Sequence, residues 1–315
     1  MLAASVRSGL DETVHQGTVA VVDVTGRLIA HHGDLDRPFF IRSSAKPFQA
    51  FVSQQCGAQL TALELAIACS SHRGFPVHIA LVESMLRKAG LDESALACPP
   101  DWPAGPAAAR LVQRDGATMP RRIWHNCSGK HAGFLRACVA RSWPTETYLS
   151  PDHPLQRMVI ETVSEFGGYR VDPVGVDGCG APVLRTTARA MATMFARLAV
   201  DRELTEIFAV MHRYPALVAA NGEGDTTMAI AANAIAKGGA AGCVGVAVAG
   251  QLGLAAKAWD GVGAVSYLAA AETLRRLGVF SATGADVVGP VINPPVLGGG
   301  GRVGWIEPRF ELAPT

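Results

Sequence analysis

The sequence of 315 residues has few charged residues and almost no net charge. Charged residues make up 17% of the chain and hydrophobic residues 49%, which excludes an intrinsically disordered protein. The formal net charge of +1 lacks the excess of lysine and arginine that nucleic-acid-binding proteins carry. The length allows one large domain or two closely packed domains with an extensive core. These values indicate a compact soluble protein.

The distribution of charged and apolar residues also predicts neither a secretory signal nor a membrane span. Residues 1–16 contain charges and no long apolar stretch, which argues against a signal peptide. The longest uncharged stretch, between Lys237 and Lys257, has alternating valines over 244–248 and is typical of a core strand rather than a membrane helix. We therefore expect a reducing cytoplasmic location, where the seven cysteines are free thiols or metal ligands.

Several common catalytic and nucleotide-binding motifs are absent. The sequence contains no G-x-S-x-G, P-loop, H-E-x-x-H or C-x-x-C motif, and no Ser-Asp-Asn or Lys-Thr-Gly of the β-lactamase type. Residues 299–304 match G-x-G-x-x-G, but they precede a predicted strand rather than a helix. This context excludes dinucleotide binding.

The spacing of apolar residues predicts an α+β fold. It indicates a β-hairpin at 18–34, one or two strands at 243–259 and a final strand at 302–312. Helices are predicted at 44–55, 60–70, 77–91, 225–236 and 267–277, with three more in 154–211 around a loop at 167–182. The proline-rich stretch 99–123 is predicted to be loop-rich.

This order of elements favours one antiparallel sheet built from N- and C-terminal strands, with helices packed on it and a helical insertion. A helical bundle is the alternative. We expect one large domain over 1–315, with an α/β part formed by 1–60 and 240–315 and a mainly helical part at 61–239.

Ser43 and Lys46 form a Ser-x-x-Lys motif near the start of a predicted helix. Side chains three residues apart lie on one helix face and can meet. A lysine near a helix N-terminus, partly desolvated, has a lowered pKa and could take the serine proton to give an alkoxide nucleophile. The alternative is chance, since about one such match is expected in a chain of this length.

Two further segments offer a hydroxyl and an amine. Residues 69–74, Cys-Ser-Ser-His-Arg-Gly, end an apolar helix with small polar side chains. They are interpreted either as a helix C-terminal cap or as a second hydroxyl at the rim of a cleft. Lys257 ends an apolar strand, where it is either solvated or faces a site and activates a hydroxyl or stabilises an anion.

The densest polar cluster is 125–131, His-Asn-Cys-Ser-Gly-Lys-His, and Cys179 lies in a glycine-rich loop. Two thiolates and a nitrogen ligand with one open position would suit zinc. Spacing favours His131 as the nitrogen ligand, because it lies one helical turn beyond Cys127. Two buried thiols beside a capped helix are the alternative, because no C-x-x-C pair is present.

Taken together, five segments resemble the asparaginase II family, the thermolabile Rhizobium-type L-asparaginases. The segments are RSSAKPFQA, CSSHRG, HNCSGKHAGFL, DGCGAP and GLAAKAWDG. The third and fourth are specific, and the resemblance extends from the hairpin to about residue 311. It implies a fold similar to serine β-lactamases and glutaminases, a homodimer, and hydrolysis of L-asparagine to L-aspartate and ammonia.

The resemblance also implies the site residues. Its two catalytic pairs would be Ser43 with Lys46 and Ser71 with Lys257, with Ser70 as the neighbouring alternative to Ser71. Zinc would be the cofactor, and its ligands would be Cys127, Lys130 and Cys179, with water in the fourth place. Lysine thus replaces the histidine that spacing favours. The residues then assigned to substrate binding or to orienting the ligands are Arg42, His131 and Asp177.

The sequence departs from the family pattern at Arg73-Gly74-Phe75 and at Trp259. Either departure could alter the choice of substrate. Two other functions stay open: another serine acyl-transfer enzyme, such as a glutaminase, peptidase or esterase, and a non-catalytic protein that binds zinc or an amino acid.

Overall fold

The computed structural model describes residues 1–314, whose strands form three antiparallel sheets. The strands are β1 (Ala3–Arg7), β2 (Leu10–His15), β3 (Gly17–Asp23), β4 (Leu28–His32), β5 (Phe39–Phe40), β6 (Val174–Val176), β7 (Pro182–Thr186), β8 (Ala234–Gly239), β9 (Cys243–Val248), β10 (Leu252–Ala258), β11 (Pro295–Gly298), β12 (Gly301–Pro308) and β13 (Ala313–Pro314).

The helices of the described chain are α1 (Lys46–Gln55), α2 (Ala62–Ala68), α3 (Pro76–Lys88), α4 (Pro106–Arg114), α5 (Ser128–Ala140), α6 (Pro154–Gly167), α7 (Ala188–Leu198), α8 (Thr205–Arg213), α9 (Pro215–Val218), α10 (Gly224–Ala231), α11 (Gly263–Arg276) and α12 (Ala282–Ile292). None of those in residues 1–314 is long and apolar enough to cross a lipid bilayer. The α+β prediction is confirmed, and the helical-bundle alternative is wrong.

The central sheet has six strands in the order β13-β4-β3-β10-β9-β8. It joins the N-terminal hairpin to strands from the C-terminal part, as the sequence predicts, and β3 pairs directly with β10. Every residue of β9 and β10 is buried, because helices cover both faces of the sheet. β8 forms one edge of the sheet, two places away from β10.

Alternate residues of the central strands face two separate cores. Ala20 and Ala255 belong to the core shared with the helical part, whereas Val19 and Leu254 belong to the core beneath α11 and α12. This alternation follows from the two-residue period of a strand. On the first face, α7 lies so close to the sheet that a Cβ atom at Gly253 would collide with the helix backbone.

Two smaller sheets complete the fold. The predicted final strand corresponds to β12, but it pairs with β1 in a separate sheet of order β11-β12-β1-β2 instead of joining the central sheet. The predicted loop at 167–182 contains β6 and leads into β7. These two strands pair with each other, and β7 also pairs with β5.

Two helices that were not predicted and one shifted helix boundary also differ from the predictions. The loop-rich stretch contains α4, because Pro106 occupies the first turn of that helix, where no N–H is needed. The helix predicted at 225–236 ends at Ala231, and its last residues form β8 because they pair with β9. The structure also contains α12, which has glycine and an internal proline and gives a weak helical pattern.

Candidate active site

A cleft of about 570 Å³ opens beside β8, at the junction of the central sheet and the helical part. Its walls come from segments that are far apart in the sequence. The polar lining residues are Ser43, Ser71, Arg73, Asn126, Glu223, Asp225, Lys237 and Tyr267. The cleft therefore contains two serine hydroxyls and a lysine amine beside charged side chains that could bind a polar substrate.

Ser43 reaches the cleft from a single 3-10 turn, Arg42–Ala45, which leads directly into α1. Arg42 has a φ angle of 52°, a left-handed conformation that is strained for a residue with a Cβ atom. The Ser43 side chain is half-buried, and its hydroxyl has no hydrogen-bond partner within residues 1–314. The turn therefore presents an uncommitted hydroxyl to the cleft.

The turn is clamped against the edge of the central sheet. The Ser44 hydroxyl donates a hydrogen bond to the carbonyl oxygen of Lys237 on β8, at 2.7 Å. At Gly239, a Cβ atom would lie 2.8 Å from the carbonyl oxygen of Ile41. Glycine is needed there because the strand and the turn approach so closely.

Lys46 is buried and contacts the second serine rather than the first. Its ammonium donates to the Ser70 carbonyl at 2.6 Å and to the Ser71 hydroxyl at 3.0 Å. Burial lowers the pKa of Lys46, and the positive charges of Lys237 and Lys130 lower it further. The structure thus shows no Ser43–Lys46 hydrogen bond, and Lys46 is joined to the cleft through Ser71.

The neighbouring serines 70 and 71 have different surroundings. Ser70 is fully buried, and its hydroxyl donates to the Ile67 carbonyl at 2.8 Å, so it caps the C-terminal end of α2. Ser71 lines the cleft and receives the hydrogen bond from Lys46. The capping interpretation therefore fits Ser70, and the cleft interpretation fits Ser71.

Lys237 is a cleft lysine that the sequence reasoning missed. Its ammonium lies 2.9 Å from Asp225 Oδ2, in a buried ion pair at the end of β8. Asp225 also accepts hydrogen bonds from the Gly238 amide at 2.7 Å and from the Tyr267 hydroxyl at 2.5 Å. A search limited to Lys-Thr-Gly passes over this Lys-Gly-Gly segment, which was the available signal.

Lys257 does not reach the cleft, so the predicted pairing of Ser71 with Lys257 is not formed. Its buried ammonium donates to the carbonyls of Ala241 at 2.5 Å and Ala258 at 2.6 Å. Burial lowers its pKa. The physical reason is position, because β10 lies two strands from the edge of the sheet where the Ser43 turn docks, and strands are about 4.8 Å apart.

The departures from the family pattern lie in different places. Arg73 lines the cleft and forms an ion pair with Glu223. Phe75 precedes α3, and Trp259 packs against Phe39 with a ring-centroid distance of 6.0 Å; neither is among the residues that line the cleft. Arg73 is therefore the departure that is placed to affect a substrate.

The predicted metal ligands lie together next to the cleft. Cys127, Lys130 and Cys179 are all buried, and the Lys130 ammonium lies 3.1 Å from the Cys179 sulfur. A hydrogen bond from the Cys179 thiol lowers the pKa of Cys127 well below its usual range, with help from nearby ammonium groups, and raises the pKa of Cys179. Cys127 Sγ is 3.2 Å from the side-chain oxygen of Asn126, which connects this cluster to the cleft.

This donor set fits a zinc ion. Two thiols and an amine supply three ligands of the types that can bind zinc, although the amine must lose its proton first. Burial lowers the pKa of Lys130, but the sulfurs of Cys179 and Cys127 outweigh this effect and raise it. A metal that binds here would therefore have to displace the proton of the ammonium. Within residues 1–314, no group of three or more histidine, cysteine, aspartate or glutamate side chains offers a metal site without this lysine.

The other predicted site residues, Arg42, His131 and Asp177, are not among the residues that line the cleft. His131 is fully buried, its Nδ1 atom lies 2.6 Å from the Tyr148 hydroxyl, and its Nε2 atom has no partner in the described chain. Its assignment to direct substrate binding is therefore not supported by its position. Arg42 and Asp177 form an ion pair at 2.8 Å that ties the Ser43 turn to the loop carrying Cys179.

Comparisons with known proteins agree with the resemblance seen in the sequence. A family model described as L-asparaginase II matches residues 3–308. No curated protein sequence matches the chain significantly.

Solved structures with a similar arrangement have low sequence identity. Native Mglu is 15% identical, with 88% of this chain and 68% of that chain covered and a TM-score of 0.47. A Bacillus glutaminase is 12% identical, with 84% and 92% covered and a TM-score of 0.41. The probable glutaminase ybaS is 18% identical, with 88% and 92% covered and a TM-score of 0.38.

Proposed function

The chain belongs to the L-asparaginase II family, and on that premise we propose that it is an amidohydrolase that converts L-asparagine to L-aspartate and ammonia. The observation that carries the proposal is the convergence of two serine hydroxyls and two buried lysines at one cleft. Ser43 and Ser71 line it, Lys46 contacts Ser71, and Lys237 closes one side. A serine hydroxyl with a lysine base suits attack on a carboxamide carbon.

In this mechanism Ser43 is the nucleophile and Lys46 is the base. The Ser43 hydroxyl is free for a substrate carbonyl, whereas the Ser71 hydroxyl is already engaged by Lys46. The lowered pKa of Lys46 increases the fraction of neutral amine that can accept the Ser43 proton as the C–O bond forms. The proton then passes through Ser71 to the amide nitrogen, the C–N bond breaks, and ammonia leaves.

Hydrolysis of the acyl-enzyme repeats the same proton transfers with water as the nucleophile. The oxyanion in both steps needs two hydrogen-bond donors. The backbone amides of Ser43 and Ala240 are suitable, because both residues line the cleft and neither amide has an acceptor within residues 1–314. The Lys237 ammonium, paired with Asp225, also lines the cleft.

The test of this proposal is ammonia release from L-asparagine and, separately, from L-glutamine. We expect release from L-asparagine that Ser43→Ala abolishes. The matched control is Ser53→Ala on α1, the helix that follows the Ser43 turn, where the buried hydroxyl donates to the Gln49 carbonyl at 3.0 Å and does not line the cleft. Release from neither amide would refute the amidohydrolase assignment. Faster release from L-glutamine would identify L-glutamine, not L-asparagine, as the preferred substrate.

The zinc assignment is part of the same proposal. Cys127, Lys130 and Cys179 would hold the ion, which would act as a Lewis acid at the edge of the cleft. Elemental mass spectrometry of the purified protein should find zinc, and Cys179→Ser should lose it. Cys138→Ser is the control, because this cysteine is buried on α5 with no predicted ligand role. Equal zinc in both variants would refute the ligand set. The predicted homodimer is checked by light scattering on the same samples.

A further inference from the structure

Arg73 is held rigidly at the wall of the cleft. It follows α2 in a loop whose backbone is fixed, since the Arg73 carbonyl accepts a hydrogen bond from the Gly105 amide at 3.0 Å. Its side chain forms two parallel hydrogen bonds to Glu223, from Nε at 2.6 Å and from Nη2 at 2.5 Å. Such a two-point ion pair sets the plane of the guanidinium as well as its position.

One edge of this guanidinium remains open. Glu223 occupies the edge formed by Nε and Nη2, and Nη1 has no partner within the described chain. A guanidinium has five N–H donors, so the Nη1–Nη2 edge can still bind a second carboxylate through two hydrogen bonds. Glu223 therefore orients Arg73 without using all of its donors.

The other charges of the cleft are matched within the protein. Lys237 is paired with Asp225, and Asp225 is further engaged by the Gly238 amide and the Tyr267 hydroxyl. Arg73 is the one guanidinium among the residues that line the cleft as described. The open edge of Arg73 is thus the feature of the lining that is best suited to a carboxylate.

We propose that Arg73 binds the α-carboxylate of the amino-acid substrate, so that the enzyme selects free amino-acid amides over asparagine residues whose carboxylate is part of an amide. This inference rests on the proposed amidohydrolase function and specifies its substrate class. Glu223 acts as a positioning residue, because it touches Arg73 and holds the guanidinium in place.

The experiment compares L-asparagine with L-asparaginamide, in which a neutral amide replaces the α-carboxylate. Calorimetric dissociation constants are measured in a Ser43→Ala background, where turnover is prevented. Adding Arg73→Met should weaken L-asparagine binding about 10- to 100-fold, the effect of losing a hydrogen-bonded charge pair. Binding of L-asparaginamide should change less than about 3-fold, since it makes no such pair. Arg73→Lys should restore part of the L-asparagine affinity.

Arg121→Met is the matched control, because Arg121 forms a similar pair with Glu93 outside the cleft, at 2.5 Å. It should leave both dissociation constants unchanged. Equal weakening for both ligands, no weakening for either, or no binding of either ligand to the Ser43→Ala protein would overturn the inference. The test is separate from that of the function, because binding is read without turnover. A parent enzyme that releases no ammonia but shows the expected binding pattern would refute only the hydrolysis.

Discussion

The buried ion pair between Asp225 and Lys237 supports a quantitative prediction about stability. Both side chains are almost fully buried, and Asp225 accepts three hydrogen bonds, from Lys237, the Gly238 amide and Tyr267. Asp225→Asn keeps the shape but removes the charge, and the new NH₂ group must face at least one of these donors. Lys237 is then left buried without its counter-charge.

Breaking a buried pair in this way costs about 3–5 kcal/mol. For a chain of 315 residues, an unfolding entropy of about 2.1 cal/mol/K per residue totals about 0.66 kcal/mol/K. The midpoint of thermal unfolding should therefore fall by about 5–8 °C. Differential scanning calorimetry at neutral pH measures this directly.

The matching assay is a double-mutant cycle with Lys237→Met. The double variant contains neither buried charge. Its loss of unfolding free energy should therefore be smaller than the sum of the losses of the two single variants, with a coupling energy above about 1.5 kcal/mol. Asp152→Asn is the control, because its pair with Arg157 is exposed at 3.6 Å and should contribute less than about 1 kcal/mol. Additivity of the two cleft substitutions within about 0.5 kcal/mol would refute the reasoning.

Three further predictions follow from buried groups. Lys257→Met should lower thermal stability by about 1–3 kcal/mol yet reduce ammonia release less than Lys237→Met does, and the reverse order would contradict the placement of these lysines. Burial lowers the pKa of His78 to about 4, so stability should fall by about 3 kcal/mol as pH drops from 6.5 towards 4, where the unfolded state binds the proton first. Urea titrations of His78→Gln should show a flatter pH dependence, and an unchanged one would refute this cause. Gly253→Ala should destabilise by about 1–3 kcal/mol because its Cβ atom would meet the backbone of α7, whereas Gly289→Ala on α12 has open space and should stabilise slightly in the same melts.

Much of the fold was readable from local patterns. The hairpin at 18–34 shows the two-residue alternation of a strand pair around a turn, and it forms β3 and β4. The three helices predicted within 154–211 correspond to α6, α7 and α8. In contrast, β2 has a mostly exposed sequence with three charged or ionisable side chains. It becomes a strand because it pairs with β1, and its own residues do not predict that pairing.

The segments of the site were also readable, because each contains several unusual residues close together. Ser43 belongs to such a segment, as do Ser71 and Cys127, and the structure brings all three to one cleft and its edge. Composition and spacing within a segment were enough to single them out, and the order of the segments was enough to indicate the family.

Which lysine serves the cleft was decided by tertiary structure alone. In the structure Lys237 and Lys257 both lie on buried strands, whereas the sequence pattern places Lys237 just after a predicted helix and Lys257 at the end of a predicted strand. The order of strands in the central sheet places β8 at the edge against the Ser43 turn and β10 two places inside. Strand order depends on pairing between distant segments, and a local pattern of side chains carries no information about it.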